Sequence, residues 1–147
     1  VPTVSGETEG SVVESGVPLL ALPVLPAGIE LWQGARSVLP DACLCLEGVP
    51  RSIEENAGVI VFIDQIDDGH EALKLLQSLQ SRGLDGRRIR MITALCAGPG
   101  LKCLGENIPD LTIHTACIDE RLDESGRIVP GIGEPSSRLN LRSCDGV

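Results

Sequence analysis

The chain has 147 residues, enough for one domain that buries a core without covalent staples. Its 12 Lys plus Arg against 21 Asp plus Glu give a net charge of −9, the wrong sign for a surface that gathers nucleic-acid phosphates. Hydrophobic residues make up 42% and the only aromatics are Trp32 and Phe62, so an aliphatic core is expected, without extensive disorder or base-stacking platforms.

Val1 to Gly16 carries Glu7, Glu9 and Glu14 among Ser, Thr and Gly with no apolar period, and reads as a flexible acidic leader to a domain over residues 17–147. Leu19 to Leu25 is a buried strand candidate despite its prolines. Ala27 to Leu39 places Ile29, Trp32, Ala35 and Leu39 at helical spacing, with Pro40 as a stop. Cys43 to Leu46 reads as a short second strand, and Gly48 to Gly58 as a polar connection. Val59 to Asp64 is an apolar run without alternation, as expected of a central parallel strand covered on both faces. Ala72, Leu75, Leu76 and Leu79 then mark one face of a helix that Gly83 ends. Ile89 to Cys96 reads as a strand, Pro99 to Glu106 as a short helix with Pro at its first turn, and Leu111 to Cys117 as a last strand. From Asp119 onward charged and turn-forming residues predict a structured loop region without its own core.

This alternation predicts an α/β fold, an open parallel sheet flanked by helices with a C-terminal hood. Ligands in such sheets bind beyond the carboxyl ends of strands, here after Asp64 and after Cys117. No apolar run approaches the ~18 residues of a membrane span. The six cysteines, Cys43, Cys45, Cys96, Cys103, Cys117 and Cys144, lie mostly in apolar segments without a Cys-x-x-Cys pair, so reduced buried thiols are expected. That fits a reducing compartment, a cytoplasm or organelle interior, and the sequence does not choose between them.

Residues 115–133 read Thr-Ala-Cys-Ile-Asp-Glu-Arg-Leu-Asp-Glu-Ser-Gly-Arg-Ile-Val-Pro-Gly-Ile-Gly. This resembles the uracil-binding signature of the uracil phosphoribosyltransferases at nearly every position. The likeness extends back through Gly100-Leu101-Lys102 and Ile108-Pro109-Asp110. It also takes in Pro23-Val24-Leu25-Pro26-Ala27-Gly28, which is similar to the family's Arg-Ala-Gly segment. About 125 residues, from near Gly16 to Leu141, can be laid on the carboxyl-terminal two thirds of such an enzyme. The family's amino-terminal arm finds no counterpart.

The resemblance implies a reaction in which a uracil ring nitrogen displaces magnesium-bound pyrophosphate from phosphoribosyl pyrophosphate. Ile128, Val129, Pro130, Gly131, Gly133 and Glu134 would form the ring-binding loop, which in the family works largely through main-chain groups. Arg127 stands where the family usually has Tyr, and Glu134 where it usually has Asp. The phosphate cradle is altered: the central strand runs out through Asp64-Gln65-Ile66-Asp67-Asp68-Gly69-His70-Glu71, leaving Asp64, Asp67, Asp68 and Gly69 as the remnant, with Asp64 the one catalytic candidate. Backbone N–H groups and small hydroxyls cradle phosphates, whereas two like charges ~4 Å apart cost on the order of 4 kcal/mol near a protein surface.

Asp68 and Glu71, three apart, instead suggest a capping box at the start of the following helix. Clustered Asp64, Asp67 and Asp68 would also suit magnesium or calcium, but without a full ligand set no metal site is expected. Pro26 replaces the Arg of the Arg-Ala-Gly segment, and Arg51 is the nearest substitute for a basic residue at the pyrophosphate. His70 and His114 read as surface or packed residues. Arg87, Arg88 and Arg90 read as a solvated strand entrance.

These residues predict a phosphoribosyltransferase-like domain with impaired catalysis, a structural or interaction subunit with protein partners, no nucleic acid and no cofactor. The alternatives are an active pyrimidine-salvage transferase, which would require magnesium, and a regulatory module that binds uracil or its nucleotide.

Overall fold

A computed structural model describes residues 2–7 and 16–141. In chain order it contains β1 (Pro2–Thr3), β2 (Gly6–Glu7), β3 (Leu19–Pro23), α1 (Gly28–Ala35), β4 (Cys43–Leu44), β5 (Gly58–Ile66) and α2 (His70–Gln80). There follow β6 (Ile89–Ala97), α3 (Gly98–Asn107), β7 (Thr112–Asp119), β8 (Arg121–Leu122), β9 (Ile128–Val129) and α4 (Pro135–Arg138). Strands β4-β3-β5-β6-β7 form one parallel sheet in that order, with β5 at its centre. The chain reverses direction across the sheet between β3 and β5, and the crevice at their carboxyl ends is where such folds take ligands.

Strand β5 shows why the run from Val59 carries no alternation. Val59, Val61 and Ile63 face a cluster with Ala72, Leu76 and Leu79 of α2 and Leu104 of α3. Phe62 points to the opposite face, where it meets Ala21 and Trp32 of α1. The Trp32 and Phe62 rings sit 5.6 Å apart, edge to face, a geometry that contributes about 1 kcal/mol beyond area burial. Thr93 is the only buried polar or charged residue among those described, and its hydroxyl lies 3.1 Å from the carbonyl of Asp64 and 3.2 Å from that of Leu95.

Several elements are shorter than their sequence signals. Strand β3 stops at Pro23, beyond which the Val24 N–H still reaches the Phe62 carbonyl at 2.8 Å. Helix α1 stops at Ala35 and continues to Leu39 only as irregular turns, and β4 keeps two residues at the sheet's edge. That edge also corrects the expectation of buried thiols: Cys43 and, on the opposite edge strand β7, Cys117 are exposed, Cys45 and Cys103 are half-buried, and only Cys96 is buried. All five are free; Cys144 lies outside the described residues. Within the expected leader, β1 and β2 pair antiparallel, and residues 8–15 lie outside those described. No described helix is long and apolar enough to cross a membrane.

Helix α1 seats on the sheet through Gly28, where a Cβ would lie 2.3 Å from the Phe62 carbonyl oxygen. Gly34 on the same helix has nothing within 4 Å of such an atom. Gly28→Ala is therefore expected to lower the unfolding free energy by at least ~2 kcal/mol, because backbone must move, whereas Gly34→Ala should raise it by ~0.5–1 kcal/mol through helix propensity. Urea denaturation of the two variants checks both signs.

Candidate functional site

Two segments meet at the carboxyl end of the sheet. The first runs from β5 into α2. Its turn is forced against the start of α3: a Cβ on Gly100 would lie 2.4 Å from the Asp67 carbonyl oxygen, and one on Gly69 would lie 2.8 Å from that of Gly100. Gly69 adopts φ 82°, a left-handed conformation that favours glycine. The glycine that the sequence suggested as a phosphate-loop remnant thus has a packing reason of its own.

The expected capping box does not form. Gly69 occupies the N-cap, Glu71 makes no return bond, and the Asp68 carboxylate accepts from the N–H of His70 at 2.9 Å. The left-handed Gly69 displaces the capping position by one residue, so Asp68 sits before the cap and reaches only the first N–H of the helix. His70 Nδ1 also lies 3.2 Å from the Asp68 carboxylate on the exposed surface. Asp68 is correspondingly held below the ordinary carboxylate value, mainly by the backbone N–H of His70.

Asp64 and Asp67 shift the other way. Burial raises Asp64 first, with Glu134 and Glu71 adding repulsion against the lowering effect of backbone N–H groups. Burial likewise raises Asp67, followed by repulsion from Asp64, Asp68, Glu134 and Glu71. Asp67 Oδ1 is buried with no hydrogen-bond partner. A small cavity of about 60 Å³ lies here, lined by Ile63, Gln65, Ile66 and Ala72 with Asp67, Asp68, Gly69 and Glu71. No Lys or Arg lines it.

The second segment is the hood. Contrary to the expectation of a loop region with no core, it has a small one: Ile128, with Leu122 beside it, packs on Leu95 and Ala97. Strands β8 and β9 pair antiparallel around a turn in which the Asp123 carboxylate accepts from the N–H groups of Ser125 and Arg127 at 2.8 and 2.9 Å. The Ser125 hydroxyl donates to it at 2.7 Å and is the largest influence holding this exposed acid below its ordinary value.

Beyond β9 the chain passes Pro130 and turns at Gly131, where φ is 63° and a Cβ would lie 2.3 Å from the Ile128 carbonyl oxygen. The Gly131 N–H donates to Asp119 Oδ2 at 2.9 Å, tying the hood to the end of β7. The sequence singled out Ile128, Val129, Pro130, Gly131, Gly133 and Glu134 but missed Asp119. Its position at a strand's carboxyl end, twelve residues before that glycine, was the available signal.

The structure therefore brings Glu134 of the hood within electrostatic reach of Asp64 and Asp67. It does not bring Arg51 there. Arg51 lines a cavity of about 600 Å³ formed by residues 44–51 after the edge strand β4, which shares Leu46 and Gly48 with the crevice between β3 and β5. Between β3 and β5 the switch-point crevice, about 310 Å³, is walled by Leu22, Pro23, Val24, Leu25, Ile63 and Leu75, and Glu71 is its only charged residue. Among the described residues no three His, Cys, Asp or Glu side chains are gathered as a metal site. His114 is exposed on β7.

A family model described as uracil phosphoribosyltransferase matches residues 1–140. A uracil phosphoribosyltransferase of Synechococcus elongatus is 33% identical over 155 aligned positions, covering 95% of this chain and 71% of that protein. The chloroplastic uracil phosphoribosyltransferase of Arabidopsis thaliana is 28% identical, over 94% of this chain and 54% of its own length. A solved structure from Aquifex aeolicus shares the fold with a TM-score of 0.73 at 23% identity, covering 98% of this chain and 74% of that one.

The raised carboxyls yield a pH prediction. A carboxyl whose folded value exceeds its unfolded value contributes stability that is present at low pH and lost as pH rises through the folded value. Asp67→Asn should thus stabilise the protein at pH 7 by on the order of 1 kcal/mol, discounted for its partial exposure. The gain should vanish as pH falls toward the ordinary value of 3.8, where the native carboxyl is itself neutral. Thermal melts of both proteins across this range measure the difference.

Proposed function

The chain belongs to the uracil phosphoribosyltransferase family, and we propose that this domain has lost the transfer reaction and serves as a structural or interaction subunit of a larger assembly. The observation that carries this is the charge of the loop after β5. A 5′-phosphate dianion placed there would meet Asp67, with an unpartnered buried oxygen, and the repelling carboxylates of Asp64, Asp68, Glu71 and Glu134. Each such contact costs on the order of 1–4 kcal/mol, where a working site needs each to be favourable.

The leaving pyrophosphate fares no better. Pro26 supplies neither charge nor N–H, and no Lys or Arg lines the crevice that Leu25 walls beside it. A subunit role is supported by apolar side chains left in solvent around the sheet's rim: Leu25, Leu46 and Ile118 are 53%, 50% and 57% exposed.

A second reading, uracil binding without turnover, is favoured by the hood alone. The Asp119 to Gly131 bond and the left-handed Gly131 shape a main-chain loop that does not depend on the lost side chains.

Calorimetric titration with phosphoribosyl pyrophosphate and magnesium, with uracil, and with uridine monophosphate separates these readings. No heat from the pyrophosphate substrate up to about 1 mM is the expected result, and micromolar binding with turnover would overturn the loss of function. Uracil heat that Gly131→Ala abolishes would instead establish the binding module. For the subunit role, the chain should elute from its native extract well above its own 15.5 kDa. Elution at that mass would refute it.

A further inference from the structure

At the opposite end of the sheet a cavity of about 330 Å³ opens at the amino ends of β3, β5 and β6. Its floor is aliphatic, from Val17, Leu19, Val59 and Ile60, and Asn56 and Gly58 contribute polar and backbone groups. Its rim carries Arg87, Arg88 and Arg90, three of the 12 cationic side chains of a protein with net charge −9.

The sequence suggested a merely solvated cluster, but these guanidiniums are organised. Arg88 donates Nε and an Nη to the Ala57 carbonyl at 2.9 and 2.7 Å, and further N–H groups to the carbonyls of Glu54 and Gly83 at 2.9 and 3.3 Å. Those bonds neutralise no charge. Arg90 is half-buried and donates one Nη to the carbonyls of Arg87 and Ile89 at 2.7 and 2.9 Å, while its other Nη and its Nε take no acceptor among the described residues. Among the described residues neither Arg88 nor Arg90 has a carboxylate within ion-pair distance. Arg87 has only an exposed contact with Asp110 at 3.6 Å, of little energetic weight.

We propose that this cavity is a binding site for a small organic oxyanion, a phosphate or carboxylate head on an apolar body, held by the free edges of Arg90 and Arg87 over the aliphatic floor. Planar guanidinium forks match both heads bidentately, and carbonyl bonds pin Arg88 and one edge of Arg90, so little side-chain entropy is lost on binding. The volume falls in the range of small-ligand sites. Arg88 acts as a positioning residue and a fixed positive charge. The site lies at the amino end of the sheet, away from the hood, and does not depend on the proposed loss of transferase activity.

The test is amide NMR titration of the full chain with phenyl phosphate and, separately, benzoate, which distinguishes the two heads. Expected are saturable shifts at Gly58–Ile60 and Arg87–Arg90 from at least one probe below about 10 mM. Arg87→Gln with Arg90→Gln should weaken binding tenfold or more. No saturable shift there from either probe, shifts confined to residues 64–71 and 128–134, or unchanged affinity in the folded double variant would each overturn the site. Should that variant not fold, the affinity of the unaltered protein must fall several-fold between about 50 and 500 mM salt, and a salt-independent affinity would refute the proposal.

Discussion

The packing of strand β5 on both faces is the constraint on which the rest depends. Parallel neighbours satisfy its backbone on either side, α2 and α3 cover one face, and the Trp32 edge covers Phe62 on the other. A strand so enclosed accepts only apolar side chains along its length, and polar residues first appear where it leaves the core, at Asp64. The segment that β5 delivers beyond the sheet is therefore where its polar side chains stand.

That segment is held tightly but carries the wrong charge for phosphate. Gly69 and Gly100 let two backbones approach so closely that neither tolerates a Cβ, and Asp67 Oδ1 in the same turn is buried without a partner among the described residues. Geometry and charge have separated here. The backbone path of the turn is fixed by its packing on α3, while the carboxylates around it repel one another. In the hood the Asp119 to Gly131 bond and the packing of Ile128 on Leu95 and Ala97 shape the main chain.

Five carboxylates, those of Asp64, Asp67, Asp68, Glu71 and Glu134, influence one another at the carboxyl end of β5, and three guanidiniums, those of Arg87, Arg88 and Arg90, line the cavity at the amino end. Folds of this kind take ligands at the carboxyl ends of strands, and the cavity with the three arginines lies at the opposite end.

The sequence by itself determined the sheet, because the unbroken run from Val59, the Ala72 to Leu79 spacing and the Thr115 to Gly133 match are local patterns that leave few alternatives. It also named the residues of the acidic turn and of the hood. Where each element stopped, which thiols were exposed, and whether Asp68 capped a helix were decided only by tertiary structure. β4 is short because it is an edge, and the cap moved because Gly69 had to turn left-handed against Gly100. The repulsion between Glu134 and the pair Asp64 and Asp67, and the gathering of Arg87, Arg88 and Arg90 around Val59, are likewise tertiary facts. They join residues tens of positions apart, and no spacing along the chain encodes a distance across a sheet.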